Sequence, residues 1–316
     1  MTKAERFVGI DVAQATLEIA VRPTGESWQV ANDEVAFGAL VDRLRELAPT
    51  LIVLEATGGI QLPVVGALAA AGLPVVAMNP RQVHDFAKAT GKLAKTDRID
   101  AQVLAHFADA VRPEVRPLPD AATRELAILV ARRRQLLEMR VAEQNRSRGV
   151  PPRIRAQIRE HITWLNRCLA ELDRELGQLV RSSPVWRERV DLLRSTPGVG
   201  PILSATMLAD LPELGTLSHK QIAALVGLAP LNQDSGKKRG KRVVWGGRAS
   251  VRGALYMATL VATRHNPMIR AFYQRLLATH KPKKLALTAC MHKLLTILNA
   301  MVRSRTRWAP PVALVG

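Results

Sequence analysis

The sequence has few cysteines and no long apolar segment. Its 316 residues include two cysteines, Cys168 and Cys290, which lie far apart and lack the spacing of a metal-binding motif. The disulfide framework of a secreted protein is therefore not expected. No run of 18 uncharged apolar residues occurs, because Gly and Pro interrupt the nearest candidate, residues 62–78. The chain begins with a strand-like run and no apolar signal region, so we expect a soluble cytoplasmic protein.

Acidic residues become scarce toward the C-terminal end. Residues 1–116 carry 12 Lys or Arg and 14 Asp or Glu, residues 117–190 carry 15 and 9, and residues 191–316 carry 19 and 4. The net charge of the whole chain is +19, and all of this positive excess comes from the residues after 116. This asymmetry indicates carboxylate chemistry at the front and binding of a polyanion, nucleic acid above all, at the back. The alternative is that the basic residues only solubilise the surface, which mixed signs would do better.

The first 116 residues alternate strand and helix patterns. Three short strand-like runs are followed by helix, strand, helix, strand and a further helix start, with Gly-Gly and Asn-Pro marking two strand ends. This order predicts a mixed sheet covered by helices. From Asp120 to about Arg181 the pattern changes to two long charged helices separated by residues 149–152, which predicts an antiparallel coiled-coil hairpin. The turn at 195–200 (STPGVG) fits either a phosphate-binding helical hairpin or an ordinary turn between core helices.

Four carboxylates occupy positions where an isolated charge would be costly. Asp11 follows the apolar run FVGI, and Glu55 ends the strand-like run LIVLE. Asp97 and Asp100 open an apolar helical pattern and share one helix face. Buried carboxylates are costly unless they are paired or bound to a metal, and hard divalent cations prefer oxygen ligands. The four acids together therefore predict a site for Mg²⁺, or for Mn²⁺ in its place.

Four sequence blocks resemble one known family. They are GIDVAQATLEIAV (9–21), LEATGG (54–59), MNPRQVHDFAKATGKLAKTDRIDA (78–101) and VGLAPLNQDSG (226–236). These blocks resemble those of the DEDD insertion-sequence transposases, relatives of the Piv invertases, some of which are bridge-RNA-guided recombinases. The resemblance implies a transposase that acts on DNA, with Asp11, Glu55, Asp97 and Asp100 as its metal-binding tetrad.

The resemblance also implies a domain plan and partners. An α/β RNase H/RuvC-like carboxylate domain would span 1–118, a coiled-coil helical hairpin 119–190, and a mostly α-helical transposase domain 191–316. The expected partners are DNA, a bridge RNA that guides the enzyme, and further copies of the chain. A dimer or tetramer would build a composite active site, and the enzyme would work in a prokaryotic cytoplasm, associated with the nucleoid.

The same resemblance singles out Ser235 as a nucleophile that holds DNA through a phosphoserine link. Ser250 is a competing candidate in a block that departs from the family, GRASVRGA (247–254), but it could simply cap the helix that begins there. Two groups of basic residues are candidates for nucleic-acid binding. They are Arg132, Arg133 and Arg134 in the first long helix, and Lys237, Lys238, Arg239, Lys241, Arg242, Arg248 and Arg252 around the serine.

Two alternatives remain open from the residues alone. The first is a metal-dependent nuclease of the Holliday-junction-resolvase type, in which water attacks and Ser235 is inert. The second is a non-catalytic nucleic-acid-binding protein whose acids are structural. In either alternative, Ser235 is one more polar residue of a solvated basic loop.

Overall fold

The computed structural model describes residues 5–56, 58–92, 94, 96–115, 120–232, 234–235, 240 and 242–310. Packing divides the chain into two compact units, Met1–Leu118 and Pro119–Gly316. The first unit is α/β and the second is helical.

The first unit contains the strands and helices in the predicted order. They are β1 (Phe7–Val12), β2 (Thr16–Arg22), β3 (Ser27–Ala31), α1 (Glu34–Leu47), β4 (Leu51–Glu55), α2 (Leu62–Ala70), β5 (Val75–Met78), α3 (Pro80–Ala89) and α4 (Asp97–Val111). The strands form one sheet in the order β3-β2-β1-β4-β5. β1, β2 and β3 form an antiparallel meander, whereas β4 and β5 run parallel to β1. The predicted mixed sheet is therefore confirmed.

Alternate residues of β1 enter different cores. Val8, Ile10 and Val12 pack with residues of α1 and α2 on one face of the sheet. Phe7 packs with Leu104 and other residues of α3 and α4 on the opposite face. Because side chains alternate along a strand, Gly9 and Asp11 share the face of Phe7. Asp11 thus points to the side of the sheet that α4 covers.

Helix α4 approaches β1 unusually closely, and Gly9 makes this approach possible. A Cβ atom on Gly9 would lie 2.1 Å from the carbonyl oxygen of Ala101 and 2.2 Å from the backbone nitrogen of Ala105. Ala20 of β2 packs with the same two alanines. Small side chains on both elements therefore bring the backbone of α4 into contact with the sheet.

The second unit begins with two long helices, α5 (Ala121–Arg146) and α6 (Pro152–Ser182). Near the start of α5, Leu126 packs with Leu176 and Val180 of α6. Toward the other end of α5, Leu136 packs with Leu165 and Leu169. The start of α5 therefore packs against the end of α6, and a later part of α5 packs against an earlier part of α6. The two helices are antiparallel, as predicted.

Six further helices lie in the described part of the second unit. They are α7 (Pro184–Arg194), α8 (Pro201–Asp210), α9 (His219–Val226), α10 (Ala249–His265), α11 (Pro267–Ala278) and α12 (Lys283–Ser304). Helix α12 is long and apolar enough to cross a membrane by length and composition alone, but half of its most apolar stretch is buried. Leu294, Leu295 and Leu298 are fully buried in the core that α12 forms with α7 to α11. The buried face of α12 is thus part of the core of this unit.

The turn at 195–200 joins two core helices, α7 and α8. Its Gly198 has φ +98°, and a Cβ atom there would lie 2.7 Å from the Cα atom of Ala262 in α10. Val199 is buried in the same core. Both interpretations of this turn join two packed helices, so binding of phosphate by its backbone N–H groups remains a prediction.

The close contact at Gly9 predicts a large cost for the smallest substitution. Gly9→Ala should destabilise the protein by at least about 1–3 kcal/mol, because its methyl group would meet the backbone of α4, which cannot move without separating the helix from the sheet. Equilibrium unfolding in urea measures the effect. Gly38→Ala is the matched control, since Gly38 lies in α1 with open space around it. It should be neutral or stabilising by about 0.5–1 kcal/mol, and an equally tolerated Gly9→Ala would contradict this account.

Candidate active site

Asp11 and Glu55 lie side by side at the ends of two parallel strands. Ile10 of β1 is level with Leu54 of β4, so the next residues, Asp11 and Glu55, occupy equivalent positions on the same face. Both side chains are half-buried. The C-terminal edge of a parallel pair is a frequent place for functional groups, because the chain leaves the sheet there.

Asp97 and Asp100 reach the same region from α4. Thr96 caps this helix, its hydroxyl oxygen accepting a hydrogen bond from the N–H of Ile99 at 3.3 Å. Gly9 meets Ala101 and Ala105, whereas Phe7 packs in one cluster with Phe107 nearer the C-terminal end of α4, so the first turn of α4 lies on the Asp11 side of Gly9. The N-terminal end of a helix is the positive end of its dipole, and it favours carboxylates there. The strand and the helix thus bring the four predicted acids together.

Repulsion among these acids appears in the ionisation of Asp11. The pKa of the Asp11 carboxyl is raised to about 6, chiefly by burial and then by the negative charges of Asp100, Asp97 and Glu55, in that order. The backbone N–H of Val12 donates to the carboxylate and acts in the opposite direction. Asp11 therefore feels the charges of all three other acids.

The donor set suits a hard divalent cation, which would remove this repulsion. Among the described residues, however, no three His, Cys, Asp or Glu side chains converge closely enough to hold one ion as they stand. The acids therefore share a region without forming a closed coordination shell. Their role as a metal-binding tetrad remains a prediction.

Ser235 lies in the second unit, in the connection between α9 and α10, and is exposed. We call residues 231–243 the serine loop. Leu231 and Val243 close it through a pair of backbone hydrogen bonds of 2.9 and 3.4 Å. Asp234 accepts from the N–H of Gly240 at 3.1 Å and forms an ion pair with Arg242 at 2.9 Å. Lys237, Lys238, Arg239 and Lys241 lie outside the described residues.

Two arginines predicted to bind phosphate hold the end of this connection in place. Arg248 forms a double ion pair with Glu213, at 2.5 and 2.6 Å, and also donates to the carbonyl of Asp210. Arg252 donates to the carbonyls of Val226 and Gly246. Sequence reasoning missed these contacts, because their acceptors are distant carboxylates or backbone oxygens that no local pattern reveals. A phosphate-binding role for these arginines, and for Arg242, remains a prediction.

Ser250 and the arginine triplet of α5 also have defined surroundings. Ser250 lies inside the first turn of α10, and Arg248 occupies the cap position, so the interpretation of Ser250 as a helix cap is wrong. Arg133 pairs with Asp173 at 2.5 Å and ties α5 to α6. Arg132 and Arg134 are exposed, with Gln135 and Glu138 of their own helix as neighbours. The triplet therefore divides into one interhelical contact and two surface cations.

Charge repulsion at Asp11 predicts a pH-dependent stability difference. Because its folded-state pKa is raised, the folded protein loses stability as pH rises from about 4 through about 6. In EDTA at pH 7.5, Asp11→Asn should be more stable than the parent by on the order of 1 kcal/mol, allowing for solvent screening of the half-buried group. The difference should vanish near pH 4. Urea unfolding at both pH values measures it.

Asp85→Asn is the control for this experiment, since it removes one exposed carboxylate of the same unit. It should show no comparable pH dependence. An Asp11→Asn effect of equal size at both pH values would mean that packing, and not charge, is responsible.

Comparison with known families accounts for most of the chain. A DEDD transposase model of the IS110 group matches residues 8–152, which include all four carboxylates. A model described as the transposase IS116/IS110/IS902 family matches residues 190–274, which include Ser235.

Relatives extend over nearly the full length. The chain is 28% identical to the pilin gene-inverting protein of Moraxella lacunata, over 95% of this chain and 96% of the relative. It is 27% identical to the protein of the same name from Moraxella bovis, with the same coverage. An uncharacterized 44.8 kDa protein of insertion element IS116 from Streptomyces clavuligerus is 24% identical over 97% of both chains. With its two parts matched by models of one family, the chain belongs to the IS110/IS116 transposases, enzymes that recombine DNA.

Proposed function

We propose that this transposase cuts and rejoins DNA by attack of the Ser235 hydroxyl on a backbone phosphorus, assisted by Mg²⁺ or Mn²⁺ at the four carboxylates. The observation that carries the proposal is the convergence of Asp11, Glu55, Asp97 and Asp100 at one edge of the sheet. The strand order β3-β2-β1-β4-β5, with its antiparallel meander and two parallel strands, supports an RNase H/RuvC-like fold for the first unit.

Each protein group has a defined task in this scheme. The four carboxylates would hold the cations, which supply Lewis-acid activation of the nucleophile and charge neutralisation at the phosphate. The Ser235 oxygen loses its proton as it bonds to phosphorus. The bond from phosphorus to one deoxyribose oxygen breaks, and that oxygen leaves with a proton. Attack on the phosphoserine by a deoxyribose hydroxyl of another strand reverses these steps and rejoins DNA.

Ser235 depends on an activating group from elsewhere. The nearest carboxylate in sequence, Asp234, is engaged by Arg242 and Gly240. The remaining charged residues of the serine loop are basic, and such residues bind phosphate better than they accept protons. The carboxylates belong to the other unit of the chain. We therefore propose a composite site in a dimer or tetramer, in which one subunit supplies the serine and another the carboxylates.

The remaining parts of the chain fit a nucleic-acid complex. Residues 191–316 carry 19 basic and 4 acidic residues, a balance that supports binding of polyanions such as DNA and a guide RNA. The antiparallel helices α5 and α6 would form a coiled-coil hairpin between the domains proposed at 1–118 and 191–316. Guidance by a bridge RNA of the same element rests on the family resemblance and on this charge.

A resolvase-like nuclease is the second candidate. Clustered carboxylates in one unit, with the serine in the other, would also suit attack by a metal-activated water. Because the family consists of transposases, the purely non-catalytic alternative is set aside.

Replacing any one carboxylate should abolish catalysis without abolishing DNA binding. We expect Asp11→Ala, Glu55→Ala, Asp97→Ala and Asp100→Ala each to lose strand exchange and the covalent adduct, because each leaves the cation site incomplete. Trapping on a suicide DNA substrate followed by denaturing electrophoresis measures the adduct, and mobility shift measures binding. Asp85→Ala should behave as the parent. Cleavage by the parent without any phosphoserine adduct would favour the nuclease, and full activity of one variant would remove that acid from the site.

Mixing two inactive proteins tests the composite site. Ser235→Ala lacks the nucleophile and Asp11→Ala lacks a carboxylate, so a mixed oligomer can assemble one intact site from two defective chains. We expect cleavage to reappear in the mixture and to peak near equal proportions. Mixing Ser235→Ala with parent protein controls for subunit exchange. If no ratio restores cleavage although exchange occurs, each site is built within one chain.

A further inference from the structure

An apolar patch lies at the base of the serine loop. Trp245 exposes 58% of its surface, and Leu231, Val243 and Val244 expose 45%, 41% and 36%. Leu231 and Val243 are joined by their backbone hydrogen bonds, so the patch includes both ends of the loop. Tryptophan is highly buried on average, and a cluster of exposed apolar side chains marks an interaction surface.

The backbone that carries Trp245 is tightly anchored. Gly246 and Gly247 follow it with φ of +74° and +65°. A Cβ atom on Gly247 would lie 2.3 Å from the nitrogen of Gly227, at the C-terminal end of α9. Arg252 bridges the carbonyls of Gly246 and Val226, and the N–H of Arg248 donates to Leu225 at 3.1 Å. The exposed ring therefore projects from a fixed support ten residues after Ser235.

The charge of the sequence that flanks Trp245 indicates which partner the patch meets. Residues 232–252 contain seven Lys or Arg and one Asp. A second copy of this surface would bring two strongly positive segments together, which is unfavourable. A nucleic-acid strand instead offers phosphates to the basic residues and flat apolar base faces to the tryptophan. Aromatic residues interleaved with basic ones are typical of surfaces that bind single strands.

We propose that Trp245 stacks on an unstacked base of the DNA strand beside the phosphate that Ser235 attacks. This inference rests on the proposed function of Ser235. Stacking on an anchored ring at the base of the serine loop would set how far the strand enters the site, so Trp245 acts as a positioning residue for the scissile phosphate. Base–aromatic stacking tolerates any sequence, because every base has a π face.

A binding experiment tests this role separately from catalysis. The full-length Ser235→Ala protein is titrated with a mixed-sequence single-stranded oligonucleotide that contains 2-aminopurine, whose fluorescence is quenched by stacking. Trp245→Ala and Trp245→Leu should weaken binding by about 5- to 150-fold and lose the quenching. Trp245→Phe should bind nearly as tightly as the parent and keep the quenching. The unfolding temperature of each variant is measured as well, so that a change in DNA binding is separated from a change in folding.

Trp164→Ala is the matched control, since Trp164 is 42% exposed on α6, away from the serine loop. It should bind like the parent. The proposal would be overturned if Trp245→Ala bound the oligonucleotide like the parent, or if the Leu and Phe variants bound it equally. It would also be overturned if Trp164→Ala lost as much affinity as Trp245→Ala. A fall in oligomer mass at unchanged DNA affinity would also overturn it and assign the patch to a second copy of the chain. If the parent protein forms no phosphoserine adduct while these binding effects are observed, the serine chemistry alone is refuted.

Discussion

The contact between α4 and β1 at Gly9 is the constraint on which the carboxylate site depends. A helix normally packs on a sheet through its side chains, which keep the two backbones well apart. Here the residues in contact have no side chain or only a methyl group, so the helix backbone lies directly on the strand. They are Gly9, Ala20, Ala101 and Ala105. The first turn of α4 is thereby fixed beside Asp11. Without this close approach Asp97 and Asp100 would stand farther from the sheet, and their charges would affect Asp11 less.

Bringing four acids together carries a cost that the fold only partly offsets. The helix dipole at the start of α4 favours Asp97 and Asp100, and the N–H of Val12 stabilises the ionised form of Asp11. The pKa of Asp11 nevertheless stays near 6, so burial and repulsion outweigh these contributions. A site with this residual repulsion gains stability when a cation binds. The same property that weakens the metal-free fold would therefore favour metal binding.

Most of the fold could be predicted from sequence because its signals are local. The strands, the two long helices and the four acids follow from hydrophobic periodicity and from charges placed at element ends. The closeness of Gly9 to Ala101 could not be predicted, since it joins residues 92 positions apart whose small size has no periodic signature. The same holds for Arg133 with Asp173 and for Arg248 with Glu213. A basic side chain in a basic segment gives no sign of whether its partner is a phosphate or a distant carboxylate.

These arginines show how the second unit divides its positive charge between two tasks. Arg248 and Arg252 lie at the start of α10, are partly buried, and donate to backbone carbonyls and to the Glu213 carboxylate. They fix the segment from which Trp245 projects. Within the serine loop, Arg242 pairs with Asp234, which is the only Asp or Glu in the sequence between Glu213 and the C-terminus. Because acids are so scarce in this part of the sequence, most of its basic residues have no acidic residue close in sequence, and we expect these residues to supply the charge that attracts a polyanion.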